Sequence, residues 1–219
     1  MGAALVYQHY QLLKDAYLDM HLRCNAGGSF WIEGKLHFLG EYHGQVIEDT
    51  YTIKVTIPKD YPDTLPTVQE TGGRIPKDFH HYTNQSLCLG ARFAVLKAFL
   101  IEPTLLGFIN RCVLPYLYSY SYKEKYEALP FGELPHGAQG ILEFYRDYFR
   151  VETPKATLGL LRILASGRFA GHAKCPCESH MRIRDCHGPQ LATMTKVQPP
   201  SAFLSEYEHL VDSLVKFSN

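Results

Sequence analysis

The chain has 219 residues, which is enough for one large domain or for a domain of about 150 residues with an appendage. Its 22 basic and 22 acidic residues cancel, which argues against the broad positive surface that nucleic-acid binding requires. No apolar run reaches the roughly 18 residues of a membrane span, and the first residues lack the basic start of a signal peptide. We therefore expect a protein of the reducing cytoplasm, with no nucleic-acid or membrane partner.

The N-terminal half predicts a helix followed by strands. Apolar residues at helical spacing predict a helix from Leu5 to Arg23. Alternating polar and apolar residues then predict strands over 30–39 and 46–57, and a short strand over 67–70. Residues 72–90 contain turn formers and no sustained period, which predicts a long loop, and such loops in compact domains are usually functional.

The C-terminal half predicts helices. They are expected at 91–99, 104–118, 138–149, 157–165 and 201–217. The apolar face of the last helix fits either packing against residues 138–165 or a homodimer seam, and the sequence leaves both open. Cys24 and Cys112 fall in predicted helices, which favours packing in the core for both. The order of elements predicts an α+β fold, an antiparallel meander sheet with flanking helices followed by further helical segments.

Three sequence segments resemble the fold of ubiquitin-conjugating enzymes, the UBC fold, over residues 5–120. They are WIEGKLHF, YTIKVTIPKDYPDTLPTV and FHHYTNQSLCLG. In that family a strand leads into a proline-rich turn, matched here by Tyr61, Pro62 and Pro66, and a histidine-bearing loop follows before the catalytic cysteine, matched by Cys88. The resemblance implies a conjugating domain over 1–125, a helical extension over 126–171, and a small zinc module with the terminal helix over 172–219.

The resemblance implies that Cys88 is the nucleophile of a thioester-forming transferase. A separate activating enzyme would supply an activated protein C-terminus, which Cys88 would pass to an acceptor. His80, His81 and Asn84 are the candidate assisting residues, because an imidazole raises the thiolate fraction and a polar donor stabilises the oxyanion. The family's His-Pro-Asn triplet is absent, and the position of its asparagine, eight residues before the cysteine, is His80.

Divergent bacterial members of the family replace that triplet with histidines, and this chain is similar to them. Relatives of this kind resemble conjugating components of bacterial antiviral operons of the CBASS type, which implies a nucleotidyltransferase of the same operon as a partner. The absent asparagine also fits an inactive UBC-fold adaptor that binds a protein tail. A cysteine hydrolase built on Cys88 is a third reading, but the sequence identifies no third group to orient a histidine base.

The C-terminal region carries a pattern of metal ligands. Cys175 and Cys177 are followed, after eight residues, by Cys186 and His187. Three thiols and one imidazole suit a closed, tetrahedral, structural zinc site. The pattern resembles the SEC-C zinc module of the SecA translocation ATPase, which usually has Gly-Ser-Gly where this chain has residues 178–180. Among nearby histidines, His172 and His180 are alternative ligands.

Overall fold

The computed structural model describes residues 2–130, 137–168 and 170–216, and these form two compact units. Unit 1 comprises the described residues of Met1–Gly90 and Ala94–Glu133, and unit 2 those of Ala91–Phe93 and Leu134–Asn219. The combination of helices with an antiparallel sheet confirms the predicted α+β class. The division at 125 and 171 stays a prediction.

Unit 1 contains a four-stranded antiparallel sheet. The strands are β1 Met20–Cys24, β2 Phe30–Tyr42, β3 Gln45–Ile57 and β4 Thr67–Glu70, in the spatial order β1-β2-β3-β4. Each strand therefore pairs with its sequence neighbour, as in a meander. The apolar residues of β2 and β3 alternate along each strand, which places one set on the buried face of the sheet.

The prediction of a helix from Leu5 to Arg23 is wrong at its C-terminal end. Helix α1 spans Gly2–Ala16, and the chain then forms β1, which pairs with β2. The Lys35 N–H donates to the Asp19 carbonyl at 3.3 Å. Gly34 permits this close approach, because a Cβ at that position would lie 1.9 Å from the Asp19 oxygen. Strand pairing here overrides the helical spacing of the apolar residues.

The scattered cysteines differ in burial. Cys24 ends β1 and is exposed, so the prediction of core packing is wrong for this residue, because it lies on an edge strand and not in a helix. Cys112 is buried, which confirms the same prediction there. It lies in a π-helical turn, Ile109–Val113, between two helices.

The other helices of unit 1 follow the sheet in the sequence. Helix α2 spans Arg92–Phe99, its first two residues being assigned to unit 2. Helix α3 spans Leu105–Phe108, and α4 spans Leu114–Tyr126, beyond the predicted end at 118. The Thr104 side chain caps α3 by accepting from the Gly107 N–H at 2.9 Å. Helix α3 packs against α1, and α4 packs against β3.

Unit 2 is built from helices around one hydrophobic core. They are α5 Gly137–Phe149, α6 Pro154–Ser166, α7 Gly188–Val197 and α8 Pro200–Lys216. Helix α7 was not predicted. The core residues Tyr145, Leu160, Leu161, Leu191 and Phe203 are all fully buried.

Helix α8 packs against α5 and α6, which is one of the two arrangements its apolar face allowed. The homodimer seam stays a prediction, and the predicted helix end at 217 lies outside the described residues. Within the described ranges no helix combines the length and the apolar character needed to cross a membrane.

Candidate metal centre and candidate active site

The four predicted metal ligands come together in unit 2. The ligand atoms of Cys175, Cys177, Cys186 and His187 all lie within 4.8 Å of one another. The His187 Nδ1 is 3.3 Å from the Cys175 sulfur and 3.1 Å from the Cys186 sulfur, and the Cys177 and Cys186 sulfurs are 3.4 Å apart. Atoms this close can share one metal ion.

Two short segments deliver these ligands. A tight turn carries the first pair, and the Cys175 N–H donates to the Met181 carbonyl at 2.8 Å across it. A 3₁₀ turn, Ile183–Asp185, leads to the second pair, and the Cys186 N–H donates to the Ile183 carbonyl at 3.1 Å. The ligands therefore face each other from consecutive turns, with α7 starting directly after His187.

A hydrogen bond to α5 fixes the orientation of the imidazole. The His187 Nε2 lies 2.8 Å from the Phe149 carbonyl oxygen. Since a carbonyl oxygen only accepts, Nε2 carries the hydrogen and Nδ1 presents its lone pair to the thiols. This is the tautomer that a metal ligand requires. Sequence reasoning missed Phe149, because a main-chain acceptor 38 residues away leaves no signal in the sequence.

The thiols have unequal surroundings. Burial raises the pKa of Cys175 above its ordinary value. Burial also tends to raise the pKa of Cys177, but hydrogen bonds with Ser179 and the neighbouring cysteines outweigh that effect, so the pKa of Cys177 is lowered. The Ser179 hydroxyl oxygen lies 3.1 Å from the Cys177 sulfur and 3.4 Å from the Cys186 sulfur. Ser179 was also missed as a contributor, although its place between the ligands was a signal.

The turn after Cys177 has an unusual backbone. Glu178 and His180 have φ values of 65° and 61°, the left-handed region that favours glycine. The alternative ligands His172 and His180 are exposed and, in the part of the chain that the structure describes, do not belong to the group that can hold a metal.

The loop that leads to Cys88 is tied down at its start. The Glu70 carboxylate accepts from the backbone N–H groups of Gly72 at 2.6 Å and Arg74 at 2.9 Å. The Arg74 guanidinium donates both to Asp49, at 2.7 and 2.8 Å, and to Glu124. Because Asp49 lies on β3 and Glu124 on α4, the loop is anchored to both elements.

The end of this loop forms a small hairpin that places His80 opposite Cys88. His81 and Leu87 form an antiparallel bridge, and the Cys88 N–H donates to the His80 carbonyl at 2.7 Å. The Leu87 N–H donates to the Val68 carbonyl of β4, also at 2.7 Å. Leu87 is buried and Cys88 is partly exposed, so the hairpin is fastened to the sheet beside a partly exposed cysteine.

The other two predicted assisting residues have different surroundings. The His81 Nδ1 donates to the Phe79 carbonyl at 2.8 Å. Asn84 is exposed at the tip of the hairpin, where its side-chain oxygen accepts from the Ser86 N–H at 3.0 Å and the Ser86 hydroxyl at 2.6 Å. Asn84 thus shapes the turn, and the structure brings His80, not Asn84, directly across from Cys88.

Sequence reasoning missed Tyr116 at this site. Its hydroxyl donates to the Phe79 carbonyl at 2.9 Å, and its ring centroid lies 6.4 Å from that of His80. Burial raises the pKa of Tyr116, and the negative charge of a Cys88 thiolate raises it further. The signal that was overlooked is the spacing of Tyr116 and Tyr120, which puts two hydroxyls on one face of α4.

No protein-family model matches the chain, and neither does any curated protein sequence.

Proposed function

We propose that the chain is a thioester acyl carrier similar to ubiquitin-conjugating enzymes, with Cys88 as its nucleophile. The observation that carries the proposal is the arrangement of a partly exposed Cys88 directly across a hairpin from His80, at the end of an anchored loop. A thiol buried beneath the sheet would oppose it. The resemblance of the three sequence segments to the UBC family supports the same function.

The chemistry of loading is a transfer between thioesters. The Cys88 thiol loses its proton to a nearby base, for which His80 is the candidate, and the thiolate attacks the carbonyl carbon of the activated protein C-terminus. The new S–C bond forms as the bond to the activating enzyme's sulfur breaks, and that sulfur leaves as a thiolate that takes up a proton. Attack by an amine or another thiol on the acyl group then releases Cys88.

The test is formation of a thiol-sensitive adduct. The full chain is incubated with an activating enzyme, ATP and the candidate tail protein, and the products are separated on a non-reducing gel. We expect an adduct that disappears with reducing agent and is absent in Cys88→Ala. Cys24→Ala is the matched control, because Cys24 is an exposed thiol on β1. An adduct that is lost in Cys24→Ala and retained in Cys88→Ala would refute the proposal.

The second candidate function is an inactive adaptor that binds a protein tail. The position of Asn84 favours it, since its side chain is exposed at the tip of the hairpin, where it shapes the turn through Ser86. In that case the tail protein binds equally well to the wild type and to Cys88→Ala, and no covalent adduct forms. Titration calorimetry of the two forms, run beside the gel, distinguishes the adaptor from the carrier.

We further propose that the metal of unit 2 is a structural zinc ion held by Cys175, Cys177, Cys186 and His187. The three thiols and one imidazole form a soft, closed donor set that fits zinc. Since all four positions would be filled by protein, zinc would stabilise the fold and would hold no reacting water. Elemental analysis should find one zinc per chain, and the content should fall in Cys186→Ser.

The resemblance to conjugating components of bacterial antiviral operons supports a narrower proposal for the partners. The activating enzyme would come from the same operon, and a nucleotidyltransferase encoded there would be the acceptor. Co-expression of the three proteins, followed by intact-mass measurement of the nucleotidyltransferase with wild type and with Cys88→Ala, tests this assignment. An unchanged mass with both forms, in the presence of a Cys88 adduct, would rule out that acceptor.

A further inference from the structure

One carbonyl oxygen links a tyrosine of α4 to the proposed nucleophile. The His80 carbonyl accepts from the Cys88 N–H at 2.7 Å, and the Tyr116 hydroxyl reaches the same oxygen at 3.4 Å. That hydroxyl makes its shorter hydrogen bond, 2.9 Å, to the neighbouring Phe79 carbonyl. The tyrosine therefore holds the two peptide units that set the position of His80 relative to the cysteine.

His80 needs to be held, because its backbone lies in the left-handed region with φ at 48°. A residue with a side chain keeps that conformation only where surrounding contacts fix it, and such positions cluster at functional sites. The His80 ring packs edge-on against Phe79, with centroids 4.5 Å apart, and is nearly perpendicular to the ring of Tyr116 at 86°. The aromatic contacts and the hydroxyl thus act on the same residue.

The Tyr116 hydroxyl is protonated, and so can donate a hydrogen bond, at neutral pH. The residue is 9% exposed, and both its burial and a thiolate at Cys88 raise its pKa above the ordinary range. It therefore keeps its hydrogen through the pH range in which an ordinary cysteine thiol ionises. A donor in this place remains available while negative charge develops on the nearby sulfur.

We propose that Tyr116 is a positioning residue for the reaction of Cys88, acting through the Phe79 and His80 carbonyls to hold His80 in its place across the hairpin from Cys88. This inference rests on the proposed thioester function. The Phe79 carbonyl also accepts from the His81 Nδ1 at 2.8 Å, so removal of the tyrosine hydroxyl leaves that oxygen with a partner. Tyr116→Phe therefore changes the position of His80 more than it changes the stability of the fold.

The chain offers a matched control in Tyr120, one helical turn further along α4. Its hydroxyl donates to the Arg74 carbonyl of the same loop at 3.1 Å. Tyr120→Phe removes one tyrosine tether of the loop, as Tyr116→Phe does, at a point away from the His80–Cys88 pair. If Tyr116→Phe slows the reaction of Cys88 more than Tyr120→Phe does, the cause is the position of His80. If the two variants slow it equally, the cause is a general loosening of the loop.

Two measurements are made on each variant of the full chain. The first is the rate of thioester formation with activating enzyme, ATP and tail protein. The second is the pH profile of Cys88 alkylation by iodoacetamide, between about pH 6 and about pH 10, quantified on the Cys88 peptide by mass spectrometry. Trp31 fluorescence during urea unfolding checks that unit 1 stays folded.

We expect Tyr116→Phe to slow Cys88 loading about tenfold, the rate equivalent of one lost hydrogen bond, and to move the alkylation profile to higher pH. Tyr120→Phe should change loading by less than about twofold and leave the profile in place. Equal effects of the two variants, or an unchanged profile in Tyr116→Phe, would overturn the proposal.

The pairing with His80 is tested by a second variant, which also serves if Tyr116→Phe does not fold. His80→Ala alone should give the same shift of the alkylation profile, and Tyr116→Phe should then add nothing to it. An unshifted profile in His80→Ala, or fully additive effects of the two changes, refutes the proposal. If wild type forms no thioester, the carrier function fails, while the alkylation profiles still decide the role of Tyr116.

Discussion

The left-handed residue His180, in the turn after Cys177, should be a site where glycine stabilises the protein. Its φ of 61° places its Cβ in a conformation that costs an ordinary residue roughly 1–2 kcal/mol, and glycine avoids that cost. Glycine also gains freedom in the unfolded chain, which removes about 0.4–1 kcal/mol of stability. We expect His180→Gly to stabilise unit 2 by about 0.7 kcal/mol, a rise in Tm of about 4 °C.

Substitution of the neighbouring left-handed residue, Glu178, by glycine should stabilise unit 2 less. Glu178 has a similar φ of 65°, but its carboxylate accepts from the Lys155 ammonium at 2.9 Å. The two side chains are 55% and 85% exposed, so the pair contributes only about 0.2–0.5 kcal/mol. Glu178→Gly loses that contribution and should stabilise unit 2 by about half as much as His180→Gly does.

Two optical signals separate the units in this assay. Cobalt bound in place of the proposed zinc gives thiolate charge-transfer bands that report on unit 2, and Trp31, the one tryptophan of the chain, reports on unit 1. Urea unfolding is followed by both signals at one fixed excess of metal. The Trp31 transition should be the same in every variant, because none of the substitutions lies in unit 1.

Arg182→Gly is the matched control, since Arg182 lies in the same module with an ordinary φ of −74°. Arg182→Gly relieves no backbone strain and only increases the freedom of the unfolded chain, so it should destabilise unit 2 by about 0.4–1 kcal/mol. If His180→Gly and Arg182→Gly shift the cobalt transition in the same direction, the backbone argument is refuted. Cobalt bands retained at full intensity in His180→Gly would also exclude His180 as a metal ligand.

Three further predictions concern unit 2. Burial raises the pKa of Glu206, so the native state favours its protonated form, and this contribution to stability is lost as the pH rises through the native pKa. Glutamine does not ionise, so the stability that Glu206→Gln gains over the wild type in urea unfolding should grow from about pH 4.5 upward. A difference in stability that stays constant with pH would contradict this. Phe203 is fully buried, and Phe203→Ala should cost about 3–5 kcal/mol in the cobalt-reported transition, so a change below about 1 kcal/mol would contradict its place in the core. A strong chelator should abolish the near-ultraviolet circular dichroism of unit 2 without moving the Trp31 transition, whereas an unchanged spectrum would mean that no metal supports the fold.

Local pattern predicted most of the fold, and it failed where contacts distant in sequence decide the structure. The alternation of polar and apolar residues was sufficient to predict β2 and β3, because one face of each strand is buried. The residues of β1 keep a helical spacing but pair with β2, and the strongest warning was Gly34, a glycine inside a strand pattern that marks a close backbone approach.

The candidate sites show the same limit. The four candidate metal ligands could be picked out from the sequence because they lie within 13 residues of one another and form two pairs. The hydrogen bond from His187 to the Phe149 carbonyl could not be predicted from the sequence, because any residue type supplies a carbonyl oxygen. Of the two histidines before Cys88, His80 has the spacing of the family's asparagine, and the hairpin register places its backbone across from Cys88. That register depends on how the loop is anchored to β3, β4 and α4, which the sequence does not show.

The bond between His187 and the Phe149 carbonyl has a consequence for synthesis of the protein in the cell. The ribosome synthesises α5 before residues 175–187. The Phe149 carbonyl in the last turn of α5 therefore lacks its hydrogen-bond partner until His187 has been translated. If the bound metal is zinc, capture of the ion would complete the fold of unit 2, and chains translated in zinc-starved cells would keep an incompletely folded unit 2. Proteases that clear open chains would then make the abundance of this protein follow the zinc supply.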